Sequence, residues 1–203
     1  MIKKDRHNTK RINPFFKDYG TLHYTIPFAR IKTSDYEEAF MEGIKRDDEE
    51  IDKIISDTSE PTFDNTISRI DKEKGEHYYD LLDRVSNVFS CMLSADTNDE
   101  MDERAQKLSP ILTKHSNDVS LNKKLFERIK YVHEHHRELT AEEQILLDKS
   151  YDGFVRSGAL LNDADKDKLR KLTEESSMMS LQFSQNLLKE TKAYELHITN
   201  EEE

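Results

Sequence analysis

Apolar residues recur at three- and four-residue intervals along most of this chain, the spacing that gathers them on one face of a helix. The stretch from Asp80 to Ser120 carries the pattern most plainly. Leu81, Val85, Val88, Phe89 and Met92 form one stripe, the polar turn Asp96-Thr-Asn-Asp interrupts it, and Met101, Ala105, Leu108 and Leu112 resume the period. Two helices folded back on each other are predicted, with Thr97 and Glu100 as a capping box that satisfies two backbone donors of the second. Pro110 falls inside that second helix. It removes one backbone donor and predicts a kink rather than an end, because Ile111 and Leu112 keep the period.

The same period extends in both directions. Ser34 and Glu37 form a capping box ahead of Tyr36, Phe40, Ile44, Ile51 and Ile55, with the acidic run Asp47-Asp-Glu-Glu expected on the solvated side. Pro61 and Thr62 break the chain before a shorter helix bearing Phe63, Ile67 and Ile70, which Gly75 ends. Ser120 is expected to cap a helix with Leu121, Leu125, Ile129 and Val132. Thr140 and Glu143 cap the next, which carries Leu147, Tyr151, Phe154 and Val155 and closes at Gly158. Asn162 or Asp163 opens the longest helix, with Leu169, Leu172, Met179, Phe183, Leu187 and Leu188 as its apolar lining and Met178-Met179 as core filling.

The two ends break the pattern. Residues 1–12 are polar and expected to be mobile. Residues 13–32 hold Pro14 and Pro27 together with Phe15, Phe16, Tyr19, Tyr24 and Phe28. Each proline restricts the residue before it to extended backbone, so an aromatic arm lying across a folded body is predicted. Helices then fill 33–193. Over 194–203, Tyr194-Glu-Leu-His-Ile-Thr alternates apolar and polar residues, a strand signal with no partner strand in the sequence. The fold class is therefore all-α: an antiparallel bundle of about seven helices with an extended N-terminal arm and a short C-terminal strand-like segment.

Composition narrows the function. Only 5 Gly and 4 Pro in 203 residues leave long uninterrupted segments, as helices need. Charged residues make up 36% of the chain, against about 25% in ordinary globular domains, so each helix can bury a stripe but the cores stay thin. A net charge of −11 argues against nucleic acid, whose phosphates are bound by displacing counterions with Lys and Arg, and against an anionic membrane surface. No apolar run is long enough to span a bilayer, and the charged N-terminus lacks the apolar region of a secretory signal. The single Cys91 falls within a patterned helix and is expected to be a buried thiol in a reducing cytoplasm.

Candidate chemistry is sparse. Zinc peptidases use His-Glu-x-x-His on a helix, where the two His share a face to bind the metal and the Glu activates its water. Here His133-Glu-His-His-Arg starts correctly, but Arg137 occupies the position of the second ligand, and a fixed cation there breaks the motif. His133 and His136, three apart, make only a loose metal pair. An exposed helix end, with His133 on the apolar edge, is the simpler account. There is no Gly-rich phosphate loop and no Gly-x-Ser-x-Gly elbow. Arg156 suits the negative end of a helix. No catalytic, cofactor-binding or metal-ligating residue is assigned.

Several stretches in order resemble the N-terminal part of the peptidyl-dipeptidases of the thimet oligopeptidase and oligopeptidase A family of zinc metallopeptidases. They are Asn13-Pro-Phe-Phe; Ile26-Pro-Phe-Ala-Arg-Ile-Lys with Tyr36-Glu-Glu-Ala-Phe; Pro61-Thr-Phe-Asp-Asn-Thr-Ile; Leu81-Leu-Asp-Arg-Val-Ser-Asn-Val-Phe; Ser94-Ala-Asp-Thr-Asn-Asp-Glu; Ser109-Pro-Ile-Leu-Thr-Lys-His-Ser-Asn-Asp; Tyr151-Asp-Gly-Phe-Val-Arg-Ser-Gly-Ala; and Leu181-Gln-Phe-Ser-Gln-Asn-Leu-Leu-Lys-Glu-Thr. The resemblance implies a non-catalytic helical domain forming one wall of a narrow substrate channel. The zinc, the ligands that hold it and the release of C-terminal dipeptides from short peptides belong to the full-length enzyme and lie downstream of Glu203. The implied partner is the missing catalytic domain of the same polypeptide, with inactivity of this chain alone, cytoplasmic location and self-association through exposed apolar faces as corollaries. The alternative is a stand-alone helical protein-interaction module derived from that family.

Overall fold

The structure, a computed structural model, describes residues 11–71, 81–135 and 138–197. Helices dominate, and no strand occurs among the described residues. They are α1 (Thr33–Ser56), α2 (a π-helical turn Phe63–Ile67 running into Ser68–Ile70), α3 (Leu81–Ala95), α4 (Asp99–Ser120), α5 (Lys123–His135), α6 (Ala141–Arg156) and α7 (Asp163–Ala193). The predicted terminator Gly75, and His136 and Arg137 of the broken motif, lie outside the described residues.

α1 is the spine. At 24 residues it is about 36 Å long, and its two halves enter different cores. Its first half gives Tyr36, Ala39 and Phe40 to a cluster completed by Phe15, by Leu81, Val85, Val88 and Phe89 of α3, and by Met101, Ala105 and Leu108 of α4. Tyr36 lies between Phe15 and Phe89, with ring centroids 5.5 and 4.9 Å away. Phe40 meets Phe89 edge-on at 5.4 Å, the arrangement that sets a ring's positive rim on its neighbour's negative face. The second half gives Ile51 and Ile54 to a core with Phe63 and Ile67 of α2, Leu125, Ile129 and Val132 of α5, and Leu147 of α6.

Between the two cores α1 presents Asp47 where its apolar stripe would otherwise continue. His115 of α4 fills the gap, its ring nitrogens 2.8 Å from Asp47 and 3.1 Å from Asp48, with side-chain exposures of only 10% for His115 and 13% for Asp47. The acidic run is therefore not simply solvated. Glu50 also turns inward, where the Arg69 side chain donates to it at 2.9 Å. The link from α1 to α2 is tied to α5 by buried Arg128, which donates to the carbonyl of Asp57 at 2.7 Å and to Asn65 Oδ1 at 3.0 Å.

Helix starts lie close to the predicted ones, with three differences. α4 begins at Asp99 and is capped by Asn98, whose side chain accepts from the Met101 N–H at 3.0 Å; Thr97 instead donates to Asp102, and Glu100 pairs with Arg104. α1 begins at Thr33, with the Asp35 carboxylate accepting from the Lys32 N–H at 2.7 Å, and Glu37 pairs with Arg104 of α4 at 3.2 Å. Ser120 ends α4; Asn122 caps α5 by accepting from the Leu125 N–H at 3.1 Å. Thr140 and Glu143 form the expected box at α6. α4 runs through Pro110 without ending.

α6 closes in a Schellman turn, with the Ala159 N–H on the Phe154 carbonyl and the Gly158 N–H on that of Val155, both at 3.0 Å. Gly158 has φ +95°, a left-handed backbone that favours glycine, and a Cβ there would also have to push aside the end of the Leu169 side chain, 2.6 Å away.

The 13–32 segment folds into three 3₁₀ turns, Pro14–Phe16, Leu22–Tyr24 and Phe28–Arg30. Phe15 and Tyr19 are buried, whereas Leu22, Tyr24 and Phe28 face solvent. Arg11, placed by composition in a mobile leader, is bound to Asp35 at 2.6 Å. Tyr194 to His197, where alternation predicted a strand, are irregular, with Tyr194 and Leu196 exposed. No strand pairs with them among the described residues.

Candidate functional site

The broken zinc motif lies at the end of α5, and its geometry is that of a helix–helix contact. Val132 anchors the helix in the second core, which turns the neighbouring His133 toward α6. There its ring stacks on Tyr151 at 4.2 Å and 6° from parallel, with Nε2 3.5 Å from an Asp148 oxygen. His135 stacks instead on Tyr131, and its Nδ1 lies 2.9 Å from the Tyr131 carbonyl. The Tyr131 hydroxyl donates to Glu60, and the accepting carboxylate raises the phenol above its ordinary pKa. Among the described residues, no three His, Cys, Asp or Glu side chains converge as metal ligands. The described residues thus bring together no set fit for the zinc that the resemblance implies for the whole enzyme, and His136 lies outside them.

Cys91 is exposed rather than buried. It follows Val88 by three residues but lies on the flank of the α3 stripe, off the line joining Leu81, Val85, Val88 and Met92. Arg156 is the last residue of α6, as its dipole predicts.

The feature best suited to recognition is α7. Its contacts with α4 are largely polar. Asn117 donates to Thr173 at 2.8 Å, Arg170 to Asp118 at 2.7 Å, and Gln106 to Gln185 at 3.0 Å. Burial pushes the Asp118 carboxyl up, but hydrogen bonds and charge from Lys114 and Arg170 outweigh it and hold the pKa below its ordinary value. Leu181 alone of the long α7 side chains packs against the first core.

Of the six apolar residues expected to line the core, Leu169 and Leu188 are half-buried, and the other four point the other way. Leu172, Met179, Phe183 and Leu187 follow one another at seven, four and four residues, which sets them on one outer stripe of α7. All four are exposed, Met179 at 72% and Phe183 at 69%, and Met178 is exposed beside them. Met178 and Met179 thus fill no core in this structure. Leu160 and Leu161 just before the helix, and Tyr194 and Leu196 just after it, are exposed as well. Exposed apolar side chains are thus concentrated on and beside one face of α7.

No protein-family model matches the chain. Two curated proteins do. It is 36% identical over 184 residues to the dipeptidyl carboxypeptidase of Salmonella typhimurium, and 36% identical over 185 residues to that of Escherichia coli. These matches take in 89% and 90% of this chain but 26% of each enzyme, so the chain spans about a quarter of the relatives' length. The matched part is their N-terminal quarter.

Proposed function

We propose that this chain is the non-catalytic N-terminal helical region of a zinc-dependent peptidyl-dipeptidase and forms one wall of the channel that admits short peptides. The observation that carries it is the match itself: nine-tenths of this chain aligns, and only a quarter of each relative does. The outer stripe of α7 supports it. Burying a large apolar side chain is worth about 1.5–3 kcal/mol, so four on one stripe would hold a substantial interface with the remaining three-quarters of such an enzyme. The zinc, its ligands and the dipeptide-releasing chemistry belong to that remainder.

A cytoplasmic location accords with an exposed, unbridged Cys91. No described helix is long and apolar enough to cross a membrane. The coding sequence after codon 203 tests the proposal. A reading frame that continues into His-Glu-x-x-His upholds it. A stop codon there overturns it in favour of a free-standing helical interaction module.

A further inference from the structure

The first 3₁₀ turn with the residues on either side of it, the third 3₁₀ turn and Lys32 just ahead of α1 line an open cleft of about 380 Å³, within the size range of small-molecule sites. Its lining is unusual for an acidic protein. Arg11, Lys17, Arg30 and Lys32 face one acid, Asp18, while Ile12, Pro14, Pro27 and Ala29 supply apolar wall.

The cations divide into two kinds. Arg11 is fixed by Asp35 at 2.6 and 2.7 Å, and Arg30 by the Tyr19 carbonyl at 2.7 Å, so both serve as rigid wall. Asp18 is held by the Gly20 N–H, which it accepts at 3.1 Å. The ammonium groups of Lys17 and Lys32 make no hydrogen bond or salt bridge among the described residues, although the Lys32 charge also acts on the Asp35 carboxylate. Tyr19, only 8% exposed, also lines the cleft and carries a hydroxyl without a hydrogen-bond partner among the described residues.

The chain's overall charge of −11 repels anions at long range. At physiological salt, however, charges more than about 8 Å away are largely screened, and the local cations decide what the cleft attracts. Two free ammonium groups beside prolines and aliphatic carbon suit a ligand with an anionic head and an apolar body.

We infer that the cleft bounded by Arg11, Lys17, Arg30 and Lys32 binds a small organic anion through a carboxylate or phosphate head, with Lys17 and Lys32 as its direct contacts. The site is independent of the peptidase assignment. Amide-resolved NMR titration of the ¹⁵N-labelled 203-residue chain tests it with four probes: N-acetylphenylalanine, its neutral amide, phenyl phosphate and inorganic phosphate. At least one organic acid is expected to give saturable shifts at Lys17, Ala29 and Lys32, and the tighter acid names the head group. The amide is expected not to saturate, and inorganic phosphate to bind more weakly than phenyl phosphate.

The K17A/K32A double variant changes only exposed side chains and should keep the native helical signal while weakening binding roughly ten-fold or more. A K171A/K189A control on α7 should bind as the parent does. Saturation by the amide as tight as by the acid, binding unaltered in K17A/K32A, or no saturation by either organic acid would overturn the site.

Discussion

The imidazole of His133 stacks on the phenol ring of Tyr151, 4.2 Å away and 6° from parallel. A residue that begins like a zinc ligand is thus a stacking surface between α5 and α6. Replacing His133 with Ala is expected to lower stability by about 0.5–1.5 kcal/mol beyond the loss of buried area, and His133→Phe to restore most of it. Denaturant titrations measure both. A Phe variant no better than Ala would remove the stacking account.

Asp35 joins the aromatic turn to α1. Burial pushes its carboxyl up, but hydrogen bonds from Arg11 and the Lys32 N–H, with the charges of both residues, outweigh it and hold the pKa below the ordinary value. A carboxylate more acidic in the folded than in the unfolded chain stabilises fully above its unfolded pKa of about 4 and loses that effect as pH falls through the folded pKa. Asp35→Asn is expected to cost roughly 1–3 kcal/mol at neutral pH, and the gap to the parent to narrow below about pH 4. A gap constant from pH 7 to pH 3 would contradict the charge-based account.

Two glycines inside helices should respond differently to alanine. In α1, a Cβ on Gly43 would stand 3.0 Å from the backbone of Leu82, whereas on Gly153 of α6 it would meet nothing within 4 Å. Gly153→Ala is expected to stabilise by about 0.8–1 kcal/mol through helix propensity alone. Gly43→Ala should forfeit that gain, and Gly43→Val should destabilise by about 1–3 kcal/mol by forcing α1 from α3. Thermal unfolding of the three variants decides it.

The bare stripe on α7 should make the isolated chain self-associate. Light scattering under reducing conditions is expected to show dimers or larger species as concentration rises, and a variant with Met179 and Phe183 changed to Ser should shift toward monomer without losing helical signal. A parent that stays monomeric at high concentration would show that the stripe does not drive association.

These cases also mark what the sequence makes legible. The stripe Leu81, Val85, Val88 and Phe89 is a local property of helix period, and all four residues are buried as predicted. The caps at Thr140 and Asn162 follow from a side chain and a backbone donor three residues apart. Asn98 and Asn122 stand where several polar residues compete, and only the folded chain shows which one wins.

α7 misleads for a different reason. Leu172, Met179, Phe183 and Leu187 have a core's spacing, but burial needs a neighbour, and within this chain α4 meets the opposite face through Thr173 and Gln185. The partnership of His115 with Asp47 and the cleft around Lys17 and Lys32 join residues distant in sequence or loosely patterned, so no periodicity announces them.

The central claim is that this helical region carries none of the peptidase's chemistry. The direct measurement is the zinc content of the folded 203-residue chain together with dipeptide release from short peptides in zinc-containing buffer. The account predicts no stoichiometric zinc and no dipeptide. One tightly bound zinc per chain, with dipeptides freed from the carboxyl end, would contradict it.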